Sequence, residues 1–107
     1  DDDFSGIVTL TYSDKDGIVL EQNSPNPFST TTTIKFSLPE RTFVRLDLVD
    51  ILGNTVVTLA EEDLPAGLHS FIWNGYNSNG KKAGAGTYIY RLRTSSEILV
   101  GKLIINN

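Results

Sequence analysis

The stretch FVRLDLVDILGNTVVTLA, residues 43–60, decides the fold. In its first half the apolar side chains of Val44, Leu46 and Leu48 alternate with polar ones, which is the period of a strand with one buried face. Gly53-Asn54 interrupts the apolar run, and the Val-Val-Thr that follows is poor helix material. The stretch therefore predicts two strands, residues 43–50 and 55–60, joined in a hairpin whose tight turn uses the positive φ of glycine.

The same period of two recurs on both sides of this hairpin. Residues 33–38 alternate cleanly, turn residues separate runs of strand length, and all four prolines fall between those runs. Val, Ile and Thr together number 27 whereas Ala numbers four, a bias that suits pleated surfaces. We therefore predict an all-β, immunoglobulin-like antiparallel β-sandwich of about seven strands. Its predicted core contains Ile34, Phe36, Val44, Leu46, Leu48, Phe71, Trp73, Tyr88 and Tyr90.

Length and composition exclude several classes of function. The 107 residues make one domain, and nine Lys+Arg against thirteen Asp+Glu give a net charge of −4. Because nucleic-acid affinity depends on clustered cations, and these are scattered, no nucleic-acid partner is expected. The absence of cysteine excludes disulfides, thiolate metal sites and cysteine nucleophiles. No apolar stretch approaches 18 residues, so no transmembrane segment is predicted.

The residues also fail to assemble a catalytic site. His69, the single histidine, stands beside Ser70 in a predicted strand, where neighbouring side chains point to opposite faces. No Gly-x-Ser-x-Gly elbow is present, and the carboxylate run Glu61-Glu62-Asp63 before a Leu-Pro-Ala-Gly turn is typical of a solvated loop. We therefore expect no enzyme activity and no cofactor.

Two groups of residues could either bind a ligand or have a purely structural role. Asp14 and Asp16, in Ser13-Asp14-Lys15-Asp16-Gly17, offer part of a calcium shell, yet the twelfth position of an EF-hand loop would be Pro25. A turn held by side-chain hydrogen bonds is the alternative, and no metal is expected. Similarly, the aromatic residues Trp73, Tyr76 and Tyr88 suit either a carbohydrate platform or core packing.

Ordered motifs along residues 20–107 resemble the C-terminal sorting domain (type A) of the type IX secretion system. The motifs are LEQNSPNPF at 20–28, TTIKFSLP at 32–39, VRLDLVDILGNTV at 44–56, LPAGLHS at 64–70, WNG at 73–75 and GTYIYRL at 86–92, followed by Lys102 in the last strand. This resemblance implies a non-catalytic signal at the end of a secreted protein. Its N-terminal motif consists of Pro25, Asn26, Pro27 and Phe28, and its recognition residues are Gly86, Tyr88, Val100, Lys102, Leu103 and Ile104.

The resemblance also implies partners, location and domain division. The partners are the type IX secretion machinery, its C-terminal signal peptidase and an N-terminal cargo domain in the same chain; the cargo passes through the periplasm to the cell surface or medium. Residues 20–107 would be the sorting domain, and residues 1–19 a linker, the end of the cargo, or an extra edge strand at 7–12. A final strand suits recognition because an open sheet edge allows a receptor to add a strand. The hairpin is shared with the immunoglobulin-like domain of flagellar hook-capping proteins, so a structural module is the alternative, as is a carbohydrate-binding accessory domain.

Overall fold

A computed structural model of the chain describes residues 12–13 and 17–106, which form two antiparallel sheets. The strands are β1 (Tyr12–Ser13), β2 (Val19–Leu20), β3 (Thr32–Leu38), β4 (Thr42–Val49), β5 (Thr55–Leu64), β6 (Gly67–Trp73), β7 (Gly86–Arg93) and β8 (Ile98–Ile105). The first sheet has the order β1-β2-β3-β6 and the second the order β5-β4-β7-β8. At one side of the sandwich β2 lies beside β8, and at the other β5 lies beside β6.

The predicted all-β sandwich is confirmed. Seven of the strands lie between Val19 and Ile105, and the two-residue β1 adds an eighth by pairing with β2. Of the extra edge strand predicted at residues 7–12, only Tyr12 lies within the described residues, where it stands opposite Leu20. The described part of the chain holds no helix that is long and apolar enough to cross a membrane.

The hairpin predicted from residues 43–60 is also confirmed, as β4 and β5. Its turn is held by the carboxylate of Asp50, whose Oδ1 accepts hydrogen bonds from the backbone N–H groups of Leu52 and Asn54, both at 2.9 Å. These donors, Asn54 first, lower the pKa of Asp50. Gly53 has a φ of 90°, a conformation that other residues rarely adopt.

The second strand of the hairpin is longer than predicted, which corrects the loop assigned to Glu61-Glu62-Asp63. β5 continues through this acidic run to Leu64, which stands opposite Thr42 at the far end of β4. Two arginines, Arg45 in β4 and Arg41 directly before it, form ion pairs with this run. Arg41 Nε lies 2.8 Å from Asp63 Oδ2, and Arg45 Nη1 lies 3.6 Å from Glu61 Oε2. The acidic run is therefore part of a strand and pairs with arginines, although the sequence suggests a solvated loop.

Apolar side chains from both sheets form one core between them. Seven of the nine predicted core residues are buried, among them Phe36, Trp73 and Tyr90. Phe71 and Tyr88 are only half-buried, which corrects the other two. Phe71 belongs to the edge strand β6, and the Tyr88 hydroxyl reaches outward to donate to the carbonyl of Gly84 at 2.7 Å. The sequence did not predict the buried polar Asn23, Thr32 and Asp47.

Candidate functional site

The last two strands form a hairpin that carries all six predicted recognition residues. Gly86 stands opposite Ile105, Tyr88 opposite Leu103, and Ile104 opposite Thr87. Side chains of β8 alternate as the sequence suggests: Leu99, Leu103 and Ile105 are buried, whereas Val100, Lys102 and Ile104 face outward. One face of β8 therefore anchors the strand to the core, and the other is accessible at the surface.

The predicted N-terminal motif, Pro25 to Phe28, lies directly against this last strand. Phe28 donates its N–H to the carbonyl of Ile104 at 3.1 Å, and its own carbonyl accepts from Asn106 at 2.7 Å. The side chain of Asn26 accepts the N–H of Ile104 at 3.0 Å. Both X–Pro bonds of the motif, Ser24-Pro25 and Asn26-Pro27, are cis. Two motifs that lie almost 80 residues apart thus form one surface, made of residues 22–28 and β8.

Residues that the sequence interpretation did not assign to the site connect its two halves. Gln22 Nε2 donates to the carbonyl of Lys102 at 3.0 Å. The Tyr90 hydroxyl accepts the N–H of Asn23 at 3.1 Å and donates to the carbonyl of Glu21 at 2.9 Å. Gln22 and Asn23 are separated from the Pro-Asn-Pro-Phe motif by Ser24 alone, and that closeness in sequence is the signal that could have identified them.

The edge of β8 is less open than predicted. Because Ile104 directs both its N–H and its carbonyl away from β7, the alternation of an antiparallel ladder also turns those of Lys102, Val100 and Ile98 outward. Residues 22–28 occupy the carbonyl of Lys102 and both groups of Ile104. Among residues 17–106 no backbone partner on this edge occurs for Val100 or Ile98, so strand addition to β8 would have only that short segment available.

A buried carboxylate organises the outer face of the same sheet. Asp47 is fully buried beneath arginines of β7: Arg91 donates from Nε to Oδ1 at 3.0 Å and from Nη2 to Oδ2 at 3.1 Å, and Arg93 Nη2 donates to Oδ2 at 2.9 Å. Arg91 stands opposite Val100 across the hairpin. The guanidinium groups are therefore fixed next to the exposed residues of β8 by charge-assisted hydrogen bonds.

Tyr90 should make the fold sensitive to alkaline pH. Burial raises the pKa of Tyr90 to about 12, while the unfolded chain ionises near its ordinary value of about 10. The contribution of Tyr90 to the free energy of unfolding is therefore fully present below pH 10. It decreases by about 2–3 kcal/mol as the pH rises towards 12. Urea unfolding followed by Trp73 fluorescence at stepped pH should reveal the loss.

The loss should be smaller in Tyr90→Phe, which starts from a lower stability because it lacks the two hydroxyl hydrogen bonds. Tyr76→Phe is the matched control, since that side chain is exposed, and it should keep the alkaline slope of the unchanged chain. Equal slopes for the unchanged chain and Tyr90→Phe would contradict the assignment.

The aromatic platform considered from the sequence does not form. Trp73 is buried, and its Nε1 donates to the carbonyl of Tyr76 at 2.9 Å. Its ring packs edge-on against Phe28 and Tyr88, with centroids 5.7 Å and 5.8 Å apart. Of the three aromatic residues, Tyr76 alone is exposed. Stacking of a sugar on Trp73 is therefore excluded in this conformation.

The remaining polar candidates are His69 and the acidic residues. His69 lies in β6, where its Nε2 is 2.8 Å from the carbonyl of Pro65. No group of three or more His, Cys, Asp or Glu suited to a metal ion occurs among the described residues. Asp14 and Asp16, the calcium candidates, lie outside those residues.

Comparison with known proteins gives a consistent family and fold. Residues 21–97 match the FlgD Ig-like domain family. FlgD from P. aeruginosa is similar with a TM-score of 0.59 and 23% identity, covering 81% of this chain and 73% of FlgD. FlgD from Xanthomonas campestris, whose structure is described as giving insights into the hook capping essential for flagellar assembly, has a TM-score of 0.57 and 23% identity, and the match covers 81% of this chain and 64% of that FlgD chain.

A third similar structure is PorZ, an essential surface component of the type IX secretion system of Porphyromonas gingivalis. Its TM-score is 0.60 at 18% identity, and the match covers 96% of this chain but 13% of PorZ. A search of curated proteins gave no match. At these identities the structural likeness establishes the immunoglobulin-like fold.

Proposed function

This chain belongs to the FlgD Ig-like domain family, and from that premise we propose that it is a non-catalytic C-terminal sorting domain of the type IX secretion system. Residues 20–107 are the signal, and residues 1–19, of which Tyr12–Ser13 add an edge strand to the first sheet, are a linker or the end of an N-terminal cargo domain. The cargo crosses the periplasm and the outer membrane, reaches the cell surface or medium, and is then released from the domain by the system's signal peptidase.

The observation that carries this proposal is the contact between two motifs that resemble those of sorting domains, the N-terminal motif and the last strand, which together form one surface. Phe28 and Asn26 bond to Ile104, and Gln22 bonds to Lys102, so the N-terminal motif and the last strand hold each other in place. A machine that exports unrelated cargoes must recognise a feature common to their ends, and a surface formed by both motifs exists only in a folded domain. Folding is therefore a condition of recognition.

Within this surface the residues have distinct proposed roles. Val100, Lys102 and Ile104 provide the outward side chains that a receptor would contact, with Lys102 supplying a cation. Leu103, Tyr88 and Gly86 fix the register of the hairpin beneath them. Pro25, Asn26, Pro27 and Phe28 cover part of the β8 edge, so the receptor would read side chains of the outer face more than an open strand edge.

The test is secretion of a reporter. The whole 107-residue chain is fused behind a leader and a periplasmic reporter in a host with a working type IX system, and the reporter should reach the surface or medium. Deletion from Val100 onward should leave it in the periplasm, although this change also removes a core strand. Lys102→Ala keeps the fold and should reduce export about tenfold, the effect of losing one charged contact.

Lys35→Ala is the matched control, because Lys35 is an exposed lysine on β3 of the other sheet, and it should export normally. Export that survives both changes at β8, or that never occurs with the unchanged chain, would contradict the sorting role. The second candidate, a structural module, would then stand, since the family and two of the similar structures are those of FlgD.

A further inference from the structure

β6 (Gly67–Trp73) is an open edge of the first sheet. Thr33 and Lys35 of β3 bond to Ser24 and Glu21 on the side away from β6. The intervening residues of β3 therefore bond to β6, where Ile34 stands opposite Phe71 and Phe36 opposite His69. By the same alternation, Leu68, Ser70 and Ile72 direct their N–H and carbonyl groups outward. No partner for these groups occurs in residues 17–106.

This edge lacks the protection that the other long edge strands carry. β6 contains no Asp, Glu, Lys or Arg, and its outward side chains Leu68 and Ile72 are 64% and 66% exposed. By contrast, the edge strand β5 carries an acidic run, and residues 22–28 cover much of β8. Natural proteins usually protect a long apolar edge with charge, a bulge or a covering segment. An unprotected one therefore indicates a partner strand.

Charges at the two ends of β6 indicate which partner. The acidic run Glu61-Glu62-Asp63 of β5 precedes β6 across a short turn, so it lies near the Gly67 end. Lys81-Lys82 lies near the Trp73 end, where Lys82 pairs with Tyr76. Glu62, Lys81 and Lys82 are exposed and form no ion pair within the described residues. The edge thus has an acidic end and a basic end.

We propose that two copies of this chain associate through β6, antiparallel, about a two-fold axis at Ser70. Leu68 of each copy then stands opposite Ile72 of the other, and Ser70 opposite Ser70. Each of these three facing pairs exchanges two backbone hydrogen bonds, which occupy all the outward groups of the edge. The same axis brings the acidic end of each copy to the basic end of the other. The interface is isologous and extends the first sheet across both copies.

This association goes beyond the proposed sorting function and does not depend on it. β6 lies beside β5, on the side of the sandwich opposite to β2 and β8. A change that separates the two copies should therefore leave reporter export unaltered, and a failure of either proposal does not decide the other.

The test is the mass of the 107-residue chain in solution, measured by sedimentation from micromolar to millimolar concentration. The unchanged chain should reach twice its mass of 11.8 kDa. Ser70→Lys places two cations face to face at the axis and should weaken association at least tenfold while circular dichroism is unchanged. Ile98→Lys is the control at the exposed end of β8 and should still associate. A chain that remains at 11.8 kDa throughout overturns the proposal, as does undiminished association of Ser70→Lys.

Two further variants test the register and the charge pairing. Because the chain has no cysteine, Ser70→Cys introduces a single thiol that a short bifunctional maleimide should cross-link between copies, whereas the exposed Ser29→Cys should not. Glu62→Lys and Lys82→Glu should each weaken association, and the double variant should restore it. Cross-linking through Ser29→Cys but not Ser70→Cys, or a double variant weaker than both single ones, would contradict the two-fold arrangement.

Discussion

Trp73→Ala should lower the free energy of unfolding by about 3–5 kcal/mol, the range for removing a buried tryptophan. The indole is 1% exposed and donates its only polar hydrogen to the carbonyl of Tyr76. It also packs edge-on against Phe28, the residue that bonds to both Ile104 and Asn106. Loss of the ring therefore removes core contacts and also loosens the N-terminal motif against the last strand.

Urea unfolding followed by circular dichroism gives the measurement, since the variant lacks the tryptophan signal. Leu52→Ala is the control, because Leu52 is 81% exposed in the β4–β5 turn, and its effect should stay within about 0.5 kcal/mol. A loss below about 1 kcal/mol for Trp73→Ala would contradict a core role. Such a small loss would favour the alternative in which the indole of Trp73 is an exposed platform for a ligand.

Local alternation was sufficient to predict most of the fold. Strands with one buried and one exposed face, such as β3 and β8, can be predicted from a sequence period of two. The turn glycine at position 53 indicates the hairpin. The last strand, in which the sequence places Lys102, is β8 (Ile98–Ile105). The burial of each face then follows, because a sheet that packs on another buries alternate side chains.

What sequence could not predict depends on contacts between distant residues. Asp47 looks like an ordinary polar-face residue until Arg91 and Arg93, 44 and 46 positions later, cover it. The closure of the β8 edge depends on Asn26, 78 positions before Ile104. Periodicity reports which face of a strand is apolar, but it carries no information on which segment pairs with an edge or which cation covers a carboxylate.

Gly101→Ala should be almost as damaging as the loss of Trp73, although it adds a single methyl group. Gly101 stands opposite Tyr90 across the β7–β8 hairpin, and a Cβ there would overlap the Cζ and hydroxyl of that ring. The ring must move, and its hydrogen bonds to Asn23 and Glu21 then break. Overpacking of about 1–3 kcal/mol and two lost hydrogen bonds together predict a loss of about 3 kcal/mol or more.

A double-mutant cycle with Tyr90→Leu identifies the cause. Leucine lacks the ring atoms that the new methyl group would meet, so Gly101→Ala in that background should cost less than about 1 kcal/mol, a coupling of at least about 2 kcal/mol. Gly84→Ala is the control, since its Cβ would meet nothing within 4 Å. Equal losses in both backgrounds would show that the glycine is needed for the backbone of β8 itself. A strong coupling would instead place Tyr90 at the centre of the contact that joins residues 21–23 to the last strand, because one hydroxyl there binds Glu21 and Asn23 together.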